Sequence, residues 1–171
     1  MDQTSQQELM YADDLHVGDS WLSEWREITG EDVADFAHLT GDHDPLHTDA
    51  SGASSPFGQP IAHGLMGLSV LAGLSTNYPR VATRAFTGVT DWEFTAPIFF
   101  GDKVQVLTEV ESLEPHGRRS FRVVWFRKLL NKEGKVLQQG RFITLVSRKA
   151  PAREAKTPPE DKTQRGKLPP R

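Results

Sequence analysis

Cysteine is absent from all 171 residues, which excludes disulfides, thiolate nucleophiles and cysteine-ligated metals. A bound metal would have to be held by His, Asp and Glu. Long apolar runs are lacking too. The longest, Leu65 to Leu74, carries only glycine and serine interruptions and is too short to cross a bilayer. Nor does one sign of charge dominate: 20 Lys and Arg stand against 23 Asp and Glu, a formal net charge of -3. Such a balance gives no global field for nucleic acid or an anionic membrane. The start, Met1-Asp2-Gln3-Thr4-Ser5, has neither the basic residues nor the apolar stretch of a secretory signal. A cytoplasmic protein acting on small molecules is the expectation.

The length suits one globular domain with a substantial core. Residues 1–14 read as a polar N-terminal segment and 15–148 as the domain. Over 149–171 the chain becomes rich in Pro, Lys, Arg, Glu and Thr and loses its large apolar residues, so burial cannot offset the entropy of ordering it. That stretch is expected to be a disordered tail.

Within the domain, Asp19 to Ile28 alternates with Trp21, Ser23 and Trp25 on one side, the pattern of a first strand. Thr29 then reads as a helix cap, with Glu31 and Asp32 in the first turn, where carboxylates meet the positive end of the helix dipole. Val33, Phe36 and Ala37 follow at helical spacing, ending near Thr40-Gly41. From Gly41 to Gly64 the chain is crowded with Gly, Pro, Asp, Ser and His and reads as irregular. Leu65 to Leu74 has no polar face and predicts a helix buried on nearly every side, with Gly67, Ser69, Ala72 and Gly73 allowing close approach of other backbone. Four strands follow, Phe86–Thr95, Lys103–Leu113, Ser120–Leu130 and Val136–Ser147, rich in Val, Phe, Trp, Thr and Ile. Asn131-Lys132-Glu133-Gly134 predicts a hairpin turn, and Phe121, Val123 and Trp125 share a face opposite Arg122 and Lys128. This order predicts an α+β fold in which an antiparallel sheet wraps an apolar helix. All four tryptophans are expected to pack, with any of them able to line a ligand pocket.

Three of the six histidines, His43, His47 and His63, fall in the irregular segment beside Asp42, Asp44 and Asp49. Gly41-Asp42-His43-Asp44-Pro45-Leu46-His47 brings a carboxylate and an imidazole close together, with Pro45 stiffening the link. Such a pair can hold and activate a water. Loop aspartates before proline are also ordinary turn residues. Asp42, His43, Asp44 and His47 are competent metal ligands as well, but Pro45 breaks the helical spacing a His pair would use, and no metal is expected. His16, His38 and His116 carry no pattern and read as surface residues, while His43 reads as either exposed or supporting the site residues from behind.

Leu39-Thr40-Gly41-Asp42-His43-Asp44-Pro45-Leu46-His47, followed by Pro60-Ile61-Ala62-His63-Gly64-Leu65-Met66, resembles the MaoC-like dehydratases, which include the (R)-specific enoyl-CoA hydratases. Their signature is Gly-Asp-x-Asn-Pro-Leu-His, with His-Gly later at the start of the central helix. The resemblance extends to Ile28-Thr29-Gly30-Glu31-Asp32-Val33 and Pro97-Ile98-Phe99-Phe100-Gly101-Asp102-Lys103-Val104, from about Val17 to Val146. It implies a single hotdog fold, an antiparallel sheet wrapped around a long central helix and paired with a second copy as a homodimer. It also implies catalytic roles for Asp42 and His47, and for Gly64 the backbone N–H that binds a thioester carbonyl. His63 and Asp44 complete the expected oxyanion and substrate-binding group, although His63 equally suits ordering the loop ahead of the helix. Asp44 stands where the family has Asn. A second carboxylate there would disfavour ionisation of both, pair with His43, or point to solvent.

The implied reaction is hydration of a trans-2-enoyl-CoA, or the reverse dehydration of a 3-hydroxyacyl-CoA. No cofactor is required beyond the CoA carried by the substrate. An acyl-CoA thioesterase of the same fold and a non-catalytic acyl-thioester-binding module are the alternatives.

Overall fold

The computed structural model describes residues 8–149. All but one residue of the expected tail, 149–171, lies outside the described residues. The earliest described stretch packs onto the body: Met10 forms a bridge with Val81, and Ala12 and Leu15 join the core.

The first helix, α1 (Gly30–Thr40), starts where the sequence predicts. Thr29 Oγ1 accepts from the Asp32 N–H at 3.1 Å, and the Asp32 carboxylate accepts from the Thr29 N–H at 2.9 Å. This reciprocal box satisfies two donors that the helix start leaves without partners. Arg26 Nη2 donates to the other Asp32 oxygen at 2.7 Å. At the far end Gly41 takes φ 77° and donates to the Ala37 carbonyl, a left-handed cap that suits glycine.

The expected first strand is two: β1 (Ser20–Leu22) and β2 (Arg26–Glu27), both antiparallel to β4 (Lys103–His116). The break has a local cause. The Ser23 N–H donates to the Val106 carbonyl at 2.9 Å, and the Ser23 hydroxyl accepts from the Val106 N–H, also at 2.9 Å. A side chain has replaced a backbone acceptor in the ladder, so the alternation is lost, and Trp25 is 47 % exposed rather than packed.

The remaining strands, β3 (Thr83–Phe94), β5 (Ser120–Asn131) and β6 (Val136–Ser147), join β4 in an antiparallel sheet of order β1-β4-β5-β6-β3. The β5–β6 hairpin turns as expected, with Asn131 Oδ1 accepting from the N–H groups of Glu133 and Lys135. Register places Trp125 against Phe142 and Leu129 against Gln138, and these residues face the central helix with Val104, Val106, Val110, Val123 and Val146. Trp125 is buried and donates to Thr144 Oγ1 at 2.8 Å. Arg122 and Lys128 stand on the opposite face, as predicted, but Arg127 shares the inner face with Trp125 and is buried.

The irregular segment contains a short helix, α2 (Pro45–Thr48), which the sequence reading did not anticipate. The central helix, α3 (Gly64–Leu74), follows. Met66, Gly67, Val70 and Leu71 of α3 are buried against the sheet, which gives the hotdog arrangement. The helix is not buried on every side: Leu65 is 62 % exposed, and Ser69, Ala72 and Gly73 form the rest of an open stripe. One sheet can cover only one side of a helix. Of its small residues, Gly67 is the one that permits a close approach, since a Cβ there would lie 2.2 Å from Gln138 Nε2 and 2.6 Å from Ile98 Cδ1.

Candidate active site

The left-handed turn at Gly41 delivers Asp42 just beyond α1. Asp42 Oδ1 accepts from the Asp44 N–H at 3.3 Å, and Asp44 in turn caps α2, its Oδ1 accepting from the Leu46 N–H at 2.8 Å. With Pro45 at the first helical position, where a missing N–H costs nothing, this cap makes the short helix. Asp44 therefore serves as a helix cap and makes no pair with His43. Asn caps helices as well as Asp does, so the change from the family residue preserves the local structure.

One turn of α2 carries His47 back toward Asp42. Its Nδ1 lies 2.8 Å from the Ile61 carbonyl oxygen. Carbonyls only accept, so Nδ1 holds the hydrogen, and in the neutral ring Nε2 is left with its lone pair. His63 packs against it, ring centroids 3.8 Å apart. It is 2 % exposed, and its Nε2 lies 3.0 Å from the Asp42 carbonyl and 3.9 Å from Asp42 Oδ2. By the same logic that nitrogen donates and ties the Asp42 backbone to the start of α3. His63 Nδ1 is buried without a partner. Asp42, His47 and His63 each place a potential ligand atom within 4.8 Å of the others.

Gly64 opens α3 immediately after His63. No acceptor among the described residues takes its N–H, so the donor lies at the positive end of the helix dipole with its hydrogen available. Its carbonyl accepts from Gln138 Nε2 at 3.0 Å. Gln138 is 2 % exposed and anchors the first turn of α3 to the sheet. A cavity of about 370 Å³ adjoins Gly64, bounded by Ile61, Phe94, Pro97, Ile98 and Gln138. Neither Asp42 nor His47 is among its lining residues. The link is Ile61, whose carbonyl holds His47 while the residue borders the cavity.

The structure thus gathers Asp42, His47, His63 and Gly64 and assigns Asp44 to a cap. His16, His38, His43 and His116 are exposed, as expected. Sequence reasoning missed Gln138 and Ile61. The adjacent amides Gln138-Gln139, one of which must face the core in an alternating strand, were a visible signal for the first. Ile61 contributes a backbone carbonyl, which leaves no trace in residue identity.

A sequence profile of the MaoC like domain matches residues 16–125. A 3-hydroxybutyryl-CoA dehydratase of Methylorubrum extorquens is 36% identical over 114 residues, 66% of this chain and 71% of that protein. An (R)-specific enoyl-CoA hydratase of Aeromonas caviae is 35% identical over 106 residues, 61% of this chain and 77% of that protein. Among solved structures, an R-hydratase from Pseudomonas aeruginosa superposes with a TM-score of 0.71 at 26% identity, covering 91% of this chain and 97% of that one. No described helix is long and apolar enough to cross a membrane. A profile spanning most of the chain, together with relatives that add or remove water, places this protein in the MaoC-like domain family as a hydro-lyase.

Proposed function

We propose that this hydro-lyase acts on acyl-CoA thioesters, adding water to trans-2-enoyl-CoA to give (R)-3-hydroxyacyl-CoA and catalysing the reverse dehydration. Asp42 and His47 are its acid–base pair and Gly64 its oxyanion donor. The observation that carries the reading is the bond from His47 to the Ile61 carbonyl, which leaves Nε2 as the basic nitrogen beside Asp42, near a free helix-terminal N–H.

Attack of water on C3 of an enoyl thioester moves charge onto the carbonyl oxygen. The Gly64 N–H, fixed and at a dipole's positive end, stabilises that oxygen. One such donor typically contributes about 3 to 4 kcal/mol to the transition state. His47 Nε2 takes a proton from the water, while Asp42 orients the water and exchanges protons with C2. Overall, water adds across the double bond: one O–H bond and the C=C π bond break, and one C–O bond and one C–H bond form. His63 is a positioning residue, holding the Asp42 backbone and stacking on His47.

No dissociable cofactor enters this scheme. A metal in the triad would find only two free donors, His47 Nε2 and the Asp42 carboxylate, because His63 Nε2 donates to a carbonyl and its Nδ1 is sealed in the interior. Structural and catalytic zinc sites use at least three protein ligands. The protein is read as a cytoplasmic homodimer. The free edge of β3, at the end of the sheet order, supports pairing with a second copy.

Incubation with crotonyl-CoA tests the reaction. Loss of enoyl absorbance without release of free thiol is expected, and treatment with a chelator should leave the rate unchanged. Release of free CoA would replace hydration by thioester hydrolysis, and binding without turnover would leave only a thioester-binding module.

A further inference from the structure

Arg127 sits near the C-terminal end of α3, on the sheet's inner face. It is 9 % exposed, and no carboxylate among the described residues lies in ion-pair reach of it. Its guanidinium carbon lies 4.7 Å from the Phe142 ring centroid and 5.7 Å from that of Trp125, and its Nε has no hydrogen-bond acceptor. Desolvation pushes the pKa down to about 10, which still leaves the group charged at neutral pH. Its register partners are Thr108 on β4 and Gly140 on β6, and Trp92 lies against Gly140. Thr108 Oγ1 and Trp92 Nε1 are also buried without partners, as are His63 Nδ1 and Gln138 Oε1 at the other end of α3.

Arg127 also lines a cavity of about 330 Å³, walled by Pro79, Val81, Phe86 and Phe142, with Thr76 and Thr83 on its border. None of Asp42, His47 and Gly64 borders it. An unpaired buried guanidinium on an apolar cavity is a binding group without its ligand. One positive charge with no second cation matches a monoanion, since a phosphate dianion would bring an uncompensated charge into the interior. The walls ask for a hydrocarbon body.

We propose that this pocket binds a carboxylate on a short aliphatic chain, with Arg127 as its counter-ion. The carboxylate belongs either to a free short-chain acid or to the far end of a dicarboxylic acyl thioester.

Hexanoate titrated into the full-length protein, followed by calorimetry and by tryptophan fluorescence from Trp92 and Trp125, tests this. Saturable binding is expected, with 1-hexanol not binding and butyl phosphate binding more weakly. Arg127→Met should weaken hexanoate at least tenfold, and Arg127→Lys should recover part of the loss. Thr76→Glu, at an exposed position on the cavity border, leaves Arg127 in place and supplies a competing carboxylate, so it too should weaken hexanoate about tenfold even if Arg127→Met does not fold. Displacement of hexanoate by adipyl-CoA identifies an acyl chain end as the natural source, and failure to displace identifies a free acid; either result retains the site. Absence of hexanoate binding to the wild type, or equal affinity in wild type, Arg127→Met and Thr76→Glu, would overturn the proposal.

Discussion

The two ends of α3 hold their chemically active polar side chains differently. At the N-terminal end three side chains are held by backbone carbonyls, His47 by Ile61, His63 by Asp42 and Gln138 by Gly64, with His63 Nδ1 and Gln138 Oε1 left buried without partners. At the C-terminal end Arg127 has aromatic faces and no acceptor for its Nε. A buried hydrogen bond of the first kind contributes about 1 kcal/mol net, and its larger effect here is to fix ring orientation. Cation–π contacts contribute up to about 2 kcal/mol, against several for burying an ion. The first end therefore has its ring orientations fixed without a ligand, as acid–base chemistry requires, whereas the second carries an electrostatic deficit that an anion would relieve.

The strongest way to break this contrast is at the first end. Asp42→Asn or His47→Gln should each lower turnover of crotonyl-CoA by about a hundredfold or more, the usual consequence of losing a general acid or base. Because His47 lies in the short helix and Asp42 in a turn, thermal unfolding should change little. Wild-type rates in both variants would show that the ordered end is not the reactive one. At the other end, Arg127→Met exchanges an unpaired buried ion for an apolar chain of similar length and should raise stability by about 1 to 4 kcal/mol, read as an increase in Tm. A lower Tm would mean that the aromatic contacts already satisfy the guanidinium.

Gly67 lies between the two ends, where α3 approaches Gln138 and Ile98 too closely to leave room for a Cβ. Alanine there gains about 1 kcal/mol of helix propensity but places its Cβ 2.2 Å from Gln138 Nε2, and overpacking costs about 1 to 3 kcal/mol. A net loss in Tm is expected, together with slower turnover as Gln138 is pushed off the Gly64 carbonyl. Shortening the clashing side chain in the double variant Gly67→Ala/Gln138→Ala should give clearly non-additive stability changes. Additivity would show that Gln138 does not set the position of α3.

Much of this was legible in the chain. The cap at Thr29, the strands from Lys103 onward and the apolar helix after His63 follow from local pattern, whereas Asp42, His47 and Gly64 were singled out by the resemblance of one motif to a family signature. Local pattern failed where a side chain took over a backbone hydrogen bond, once across the sheet and once within a turn. Ser23 broke the first strand by taking a place in the ladder of β4, and Asp44 turned a stretch read as irregular into a helix by capping it. Arg127 was hidden for another reason. Its strand alternates Phe121, Val123 and Trp125 toward the core, and composition favours reading a charge at the next inward position as solvated. Only the register that sets it beside Phe142 reveals its burial.

The smallest expected effect separates the ends by pH. Asp32 completes the cap of α1, the helix that delivers Asp42. The Thr29 N–H, first, and then the Thr29 hydroxyl and Arg26 hold its carboxyl below the usual carboxylate range. A carboxyl whose folded pKa is lower than its unfolded one stabilises the fold fully above the unfolded value, about 3.9 for Asp, and that contribution disappears as pH falls through the folded value. Asp32→Ala should thus lower stability by about 1 kcal/mol at neutral pH, the typical effect of losing a cap interaction. The gap in Tm between variant and wild type should close progressively below about pH 4. Turnover should fall with the loosened helix, while hexanoate affinity at Arg127, which α1 does not touch, should stay constant. A gap independent of pH would show that the carboxylate is not what secures the cap, and a parallel loss of hexanoate binding would show that the two ends of α3 are coupled through the core rather than built separately.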